Sequence, residues 1–266
     1  MSALRVWVQG IGLLGPGLAS WAASQDVLRG SQPLVSSPTV LPAPLRLPPA
    51  ERRRAGATVK LALAVADEAV TQAQLDPAVL ATVFTSSSGE GVNCHALCET
   101  LATPAPMVSP TRFTNSVHNA AAGCWHIAVG SRAASTSLCA FDGSFGAGLV
   151  EAATSVALGG APMLLVASES PYPEPLGRKR PLPDHFGLAL VLTPAATPQS
   201  IAALSIQLVG ADQAASRCHN AGLEALRRAI PSGAALPLLE ALAQPGMPAS
   251  VVLDYQGGTR LQVAIA

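Results

Sequence analysis

Aromatic residues are scarce in this chain: Phe, Trp and Tyr together make up 4% of its 266 residues. Its core must therefore be built from Ala, Val and Leu packed closely, with few ring anchors. Charge is scarce as well, at 12% of residues, whereas 49% are apolar. That balance predicts that part of the apolar surface meets another protein chain. Neither sign of charge is in excess, since 16 basic residues cancel 16 acidic ones, and nothing electrostatic points to nucleic acid. Cysteines are few, odd in number and scattered, five in all, which excludes a disulfide framework and points to the reducing cytoplasm. Unbroken apolar runs are missing too. The most apolar stretch, Gly143 to Ser168, is interrupted by Glu151, Gly159-Gly160 and Pro162. It reads as a buried helix and a buried strand, with no stable membrane insertion. The first residues, MSALRVWVQG, lack a cationic segment followed by an apolar one, so no signal peptide is expected.

What is present is an alternation of short apolar strands and helical periodicity. Strands are predicted at Leu4–Gln9, Leu80–Phe84, Ser135–Ala140, Met163–Ala167 and Gly187–Leu192, and in the tail at Ile201–Val209, Ser250–Leu253 and Leu261–Ile265. Helices are predicted around Leu18–Leu28, from Glu51 through Val70, and at Val92–Leu101, Asn115–Val129 and Ser144–Leu158, with helical stretches between Ala214 and Ala243. Proline and serine crowd residues 30–49, an extended surface excursion, and five prolines between Pro171 and Asp184 mark a loop. Very apolar strands alternating with helices predict a largely parallel sheet covered on both faces.

Three motifs fail on inspection. Gly10-Ile11-Gly12-Leu13-Leu14-Gly15 matches a dinucleotide fingerprint, but Pro16 and Gly17 follow where a helix is needed, and no acidic strand end comes next. A tight strand-to-loop turn is the plainer expectation. Cys94, His95 and Cys98 lack a second ligand pair at zinc spacing and read as buried thiols on a helix, so no metal is expected. Asp142-Gly143-Ser144-Phe145-Gly146 has Asp where a hydrolase elbow needs Gly. Its small residues instead suit a close approach of two backbones.

The stretch Val108 to Gly123, with Ser109-Pro110, Phe113, Asn115-Ser116, Asn119-Ala120 and Ala122-Gly123, resembles the segment of β-ketoacyl synthase-like proteins that leads into the helix before the nucleophile strand. Val8–Gly12, Ala81–Gly91, Ala157–Ala161 with Leu164–Glu169, and His185–Leu192 resemble other pieces of that family in the same order, over residues 4 to 195. The resemblance is strongest to the short chain-length factors of aryl polyene and xanthomonadin-type pigment systems. It implies an α/β, thiolase-like fold: a ketosynthase-like N-terminal domain over residues 1–195 and a short divergent tail, 196–266, completing the same domain. No cofactor is implied.

In that family a strand ends at a cysteine opening a Gly/Ser-rich helix, whose dipole lowers the thiol pKa. Counting back from Gly159 by the family's spacing ends on Asp142, with Phe141 and Gly143 as the one-residue slips. None is the sulfur nucleophile, and Asp142 is expected to cap the helix beginning at Ser144. The histidine motifs His-Gly-Thr and Asn-Ser-x-Phe-Gly-Gly are also absent, and His185 and His219 are expected in surface loops. The resemblance therefore implies a non-catalytic chain-length factor, paired as a heterodimer with a full-length β-ketoacyl synthase along Ser135–Ala140. An acyl carrier protein would reach it through the complex. Phe113, Trp125, Phe141 and Phe145 are candidate tunnel-wall residues, with Asn115, His118, Asn119, Cys139, Asp142 and Ser144 at the tunnel or seam. His118 is expected to make an interface hydrogen bond, and Cys139 to be a buried structural thiol. Two alternatives stand beside this: an autonomous acyltransferase using Cys139 or Cys124, and a homodimeric scaffold without catalysis.

Overall fold

The computed structural model describes residues 3–266. In chain order the elements are β1 (Leu4–Leu14), α1 (Gln25–Leu28), α2 (Pro49–Arg54), α3 (Ala57–Ala73), β2 (Ala81–Thr85), α4 (Gly91–Leu101), α5 (Pro110–Thr114), α6 (Ala120–Val129) and β3 (Ser135–Leu138). There follow α7 (Ser144–Gly159), β4 (Met163–Glu169), α8 (Leu176–Lys179), β5 (Phe186–Thr193), β6 (Ala202–Gly210), α9 (Ala221–Ala229), α10 (Leu236–Leu242), β7 (Ala249–Asp254) and β8 (Thr259–Ile265). Short 3-10 turns occupy Phe141–Gly143 and Pro231–Ala235.

All eight strands form one sheet in the order β3-β2-β4-β5-β1-β6-β8-β7. The expectation of a largely parallel sheet is corrected: only β2–β3 and β2–β4 pair parallel, and every other pairing is antiparallel. Helical crossovers, α4 to α6 and then α7, link β2, β3 and β4 and return each strand in the same sense. Where loops join the strands, as from β4 to β5 and from β7 to β8, the direction reverses. The strands of residues 202–265 extend the same sheet beyond β1.

Helices cover both faces, as expected. On one face α3 and α6 pack Leu61, Val65, Ala69 and Trp125 onto Leu164, Val166, Ala189 and Val191. On the other, α7 and α10 pack Phe145, Leu149, Val156 and Leu239 onto Val6, Ile11, Leu165 and Leu190.

The Gly10–Gly15 motif is not a turn. The strand runs on to Leu14, shifted in register between Val8 and Gly10. A Cβ at Gly10 would stand 2.1 Å from the Ala69 carbonyl oxygen, and one at Gly12 would stand 1.9 Å from that of Val65. These glycines let α3 lie directly on the strand, and Gln9 Nε2 ties the contact by donating to the Ala73 carbonyl (2.7 Å).

Three helix predictions also shift: the helix expected from Glu51 through Val70 is broken at Ala55 and Gly56, both extended, into α2 and α3. Residues 115–129 do not form one helix: Ser109 caps α5 by accepting from Arg112 N–H, Pro110 takes the first helical position, and α6 begins only at Ala120. Before Gln25 the segment that begins at Leu18 makes turns instead of helix. Among the described residues no helix is long and apolar enough to cross a membrane.

Candidate functional site at the strand–helix turn

The parallel strands β3, β2 and β4 end side by side, and in sheets of this kind ligands gather at such carboxyl ends. Beyond β3 the chain passes Cys139 and Ala140 and makes a 3-10 turn at Phe141–Gly143 before α7 starts. Phe141 has φ +52°, a left-handed backbone that costs a bulky residue on the order of 1–2 kcal/mol. Ser144, fully buried, holds the turn: its hydroxyl donates to the Phe141 carbonyl (2.6 Å) and accepts from Ala140 N–H (3.0 Å). Gly143 and Gly146 face the Tyr255 and Asp254 carbonyls, each 2.6 Å from where a Cβ would stand. The small residues here admit a second backbone, as expected from the sequence.

Asp142 does not cap α7, since the helix has no side-chain cap. Its carboxylate instead accepts from Arg180 Nη2 (2.5 Å), and the same guanidinium lies 3.9 Å over the Phe141 ring centroid. Arg180 belongs to the Pro-rich strap between β4 and β5, and its Nε donates to the Tyr172 hydroxyl (3.1 Å). The Asp142 pairing and the Tyr172 hydroxyl outweigh partial burial and hold the guanidinium's pKa above its usual value.

Behind this surface pair lies a group that belongs to none of the sequence motifs. Glu169, the last residue of β4, is completely buried. Its carboxylate accepts from Ser87 N–H (2.9 Å), the Ser87 hydroxyl (2.6 Å) and the Ser232 hydroxyl (3.2 Å). Ser87 Oγ is 3.2 Å from the Tyr172 hydroxyl. Burial pushes the Glu169 carboxyl up to about 7, against the downward pull of Ser87, Ser232 and Arg180. The one legible signal was an acidic residue closing an otherwise apolar strand.

The predicted site residues do not all meet. Trp125 and Phe145 are core residues, on opposite faces of the sheet. Phe113 and Phe141 are exposed. Asn115 and Asn119 flank the break before α6, and exposed His118 lies against Gly89 beside the loop that follows β2. Cys139 is exposed, not buried, because it follows β3, an edge strand of the sheet; its thiol donates to the Ser87 carbonyl (3.2 Å). Cys94 and Cys98 are exposed too, since α4 buries only Leu97. Cys124 is half-buried on α6 and lines a cleft of about 440 Å³ with Glu51, Arg54 and Glu90; burial raises its pKa. His219 is a surface residue, as expected, whereas His185 is half-buried with Nδ1 3.0 Å from the Ser170 hydroxyl. Among the described residues no three His, Cys, Asp or Glu gather as a metal site.

The fold is that of the thiolase-like ketosynthases. The chain belongs to the family of beta-ketoacyl synthase N-terminal domains, whose model matches residues 19–244. A chain of the complex between a ketosynthase and its chain length factor from Xenorhabdus doucetiae is 22% identical, with a TM-score of 0.73 over 98% of this chain and 99% of that one. The ishigamide ketosynthase/chain length factor is 14% identical, with a TM-score of 0.74 over 98% and 99%. A type II polyketide acyl-carrier protein complex with its ketosynthase matches at 14% identity and a TM-score of 0.70, over 100% and 99%. No curated protein matches the chain.

Proposed function

We propose that this chain is a non-catalytic chain-length factor of a type II synthase system, of the kind that makes aryl polyene-like products. It pairs with a full-length β-ketoacyl synthase, which supplies the Cys-His-His chemistry of decarboxylative condensation on acyl carrier protein thioesters, and it closes one wall of the acyl tunnel. The observation that carries the reading is the occupancy of the turn between β3 and α7. Where the family places a reactive thiol, this chain has Phe141 and Asp142, the ring stacked on Arg180 and the carboxylate paired with it. A carboxylate so engaged is a weak nucleophile toward a thioester, and the anhydride it would form is labile.

The free edge supports a partner at β3. The sheet has two edge strands, β3 and β7. The second is covered by Ser216, whose N–H donates to the Val252 carbonyl (2.8 Å) and whose hydroxyl accepts from Val252 N–H (2.9 Å). Among the described residues the edge at β3 has no such cover, and an open edge is a template for a second chain. Residues 92–127 also carry exposed Val92, Leu101, Met107, Phe113, Val117 and Ile127, apolar surface of the kind an interface buries.

Co-expression with a ketosynthase of the same host tests the reading. Recovery of the two chains in equal amounts, with an acyl product formed only by the pair, is the expected result. A chain that purifies as a homodimer and ignores the ketosynthase sinks it in favour of the scaffold. The exposed thiol of Cys139 gives a second reading, an autonomous acyltransferase. That reading requires the chain alone to take up acyl groups from an acyl carrier protein, and Cys139→Ser to abolish the uptake.

A further inference from the structure

Glu169, Ser87, Tyr172 and Arg180 form one hydrogen-bonded chain from the interior to the strap over the turn. Its two ends differ in kind. Arg180 Nε can only donate, and an ionised carboxylate can only accept. The two hydroxyls between them must therefore pass hydrogen bonds in one direction: Arg180 to Tyr172, Tyr172 to Ser87, Ser87 to Glu169. In that state every link is filled and each bond polarises the next. A proton on Glu169 Oε2 changes the count. The carboxyl then donates to Ser87, Arg180 still donates to Tyr172, and the two hydroxyls have two hydrogens but only the single link between them to fill. One hydroxyl hydrogen is left without a partner in the chain, and the negative charge that attracts Arg180 is gone.

We propose that Glu169, acting through Ser87 and Tyr172, is a proton-operated latch that holds the Ser170–Asp184 strap on the turn at Phe141. The ionised carboxylate keeps the strap closed; the protonated one frees it, leaving Arg180 with Asp142 and the Phe141 ring. The residues facing the carboxyl leave the chain as the route of coupling. Ser232 and the Ser87 N–H do not titrate. The Cys139 thiol hydrogen-bonds to the Ser87 carbonyl and not to the carboxyl. His185 reaches Ser170 but not Glu169, and burial lowers its pKa. Arg180, Tyr172 and, at the far end, Asp142 are the remaining titratable groups, and Arg180 is the charge that Glu169 feels. The carboxyl's pKa of about 7 places the transition near neutral pH.

Hydrogen–deuterium exchange on the full chain, alone or with its partner, reads the latch directly. After correction for intrinsic chemistry, backbone amides of residues 172–182 in the wild type should be about tenfold better protected at pH 8.5 than at pH 5.5, a tenfold shift corresponding to one pK unit of coupling. In Glu169→Gln that difference should vanish. Tyr172→Phe removes only a half-buried hydroxyl, leaves the buried acid in place and should also abolish it, so the latch stays testable if the glutamine variant does not fold. Equal wild-type protection at the two pH values, or a pH difference that survives in Tyr172→Phe, overturns the proposal.

Discussion

The guanidinium of Arg180 lies 3.9 Å above the ring of Phe141, and Phe141 is one of two non-glycine residues with positive φ in the described chain. A strained turn is thus covered by a cation from a segment 39 positions further along the sequence. The stacking adds to the ion pair with Asp142, a geometry that a planar guanidinium makes and an ammonium does not.

Arg180→Ala should therefore lower the unfolding free energy by about 1–2 kcal/mol, the combined worth of a half-exposed cation–π contact, its ion pair and the packing of the stem. Arg180→Lys should recover less than half of the loss, since lysine cannot stack and pair at once. Urea unfolding of the three proteins measures it, and full rescue by lysine would show that charge alone holds the strap.

Stability should fall as pH rises from about 4.5 to 7. The Glu169 carboxyl has its folded pKa raised from 4.5 to about 7, so in this window the folded state keeps a proton that the unfolded state has released. The full effect is about 3 kcal/mol, reached above pH 7. Glu169→Gln should flatten that slope while leaving the rest of the pH profile intact. This global slope and the local latch run in opposite senses: the charge is costly to bury, yet it fastens the strap.

Of the four aromatic residues proposed for a tunnel wall, one is fit to test it. Trp125→Ala and Phe145→Ala empty core sites and should each cost about 3–5 kcal/mol. Phe113→Ala and Phe141→Ala act on exposed rings, and Phe113→Ala should shift stability by no more than about 0.5 kcal/mol. Product lengths made by the ketosynthase pair carrying Phe113→Ala then report on the tunnel without a folding defect, whereas Phe141→Ala also loses the Arg180 stack.

Ile127→Arg and Phe113→Arg place a charge on exposed apolar positions of α6 and α5. Each should leave the melting temperature of the chain alone unchanged and sharply reduce recovery of the ketosynthase pair, because an unpaired charge is costly in an interface core. Undiminished recovery with both variants would place the partner elsewhere.

Much of the architecture was legible from periodicity alone. Apolar runs marked all eight strands, and small-residue helices marked the layers on both sheet faces, because burial imposes periods of two and 3.6 on the chain. The family was legible in the ordered segments from Val108 to Gly123 and beyond. Strand direction was not, since apolarity reports burial on two faces and is silent about which neighbour a strand takes; the links that reverse β5, β6, β7 and β8 carry no hydrophobic signature.

At the site, residue types near one another in sequence could be read, such as Phe141-Asp142-Gly143 just before the small-residue helix α7. What those side chains do could not. Asp142 was expected on a helix end and is held by Arg180; Cys139 was expected inside and is exposed on an edge. Ser87, the segment from Glu169 through Tyr172 to Arg180, and Ser232 come from three separated stretches of the chain. The sequence by itself determined the covered α/β sheet and the absence of sulfur at the turn. Only tertiary folding decided the buried acid and its hydrogen-bonded route to the surface, because burial and donor–acceptor contacts exist only once strand ends and loops have been brought together.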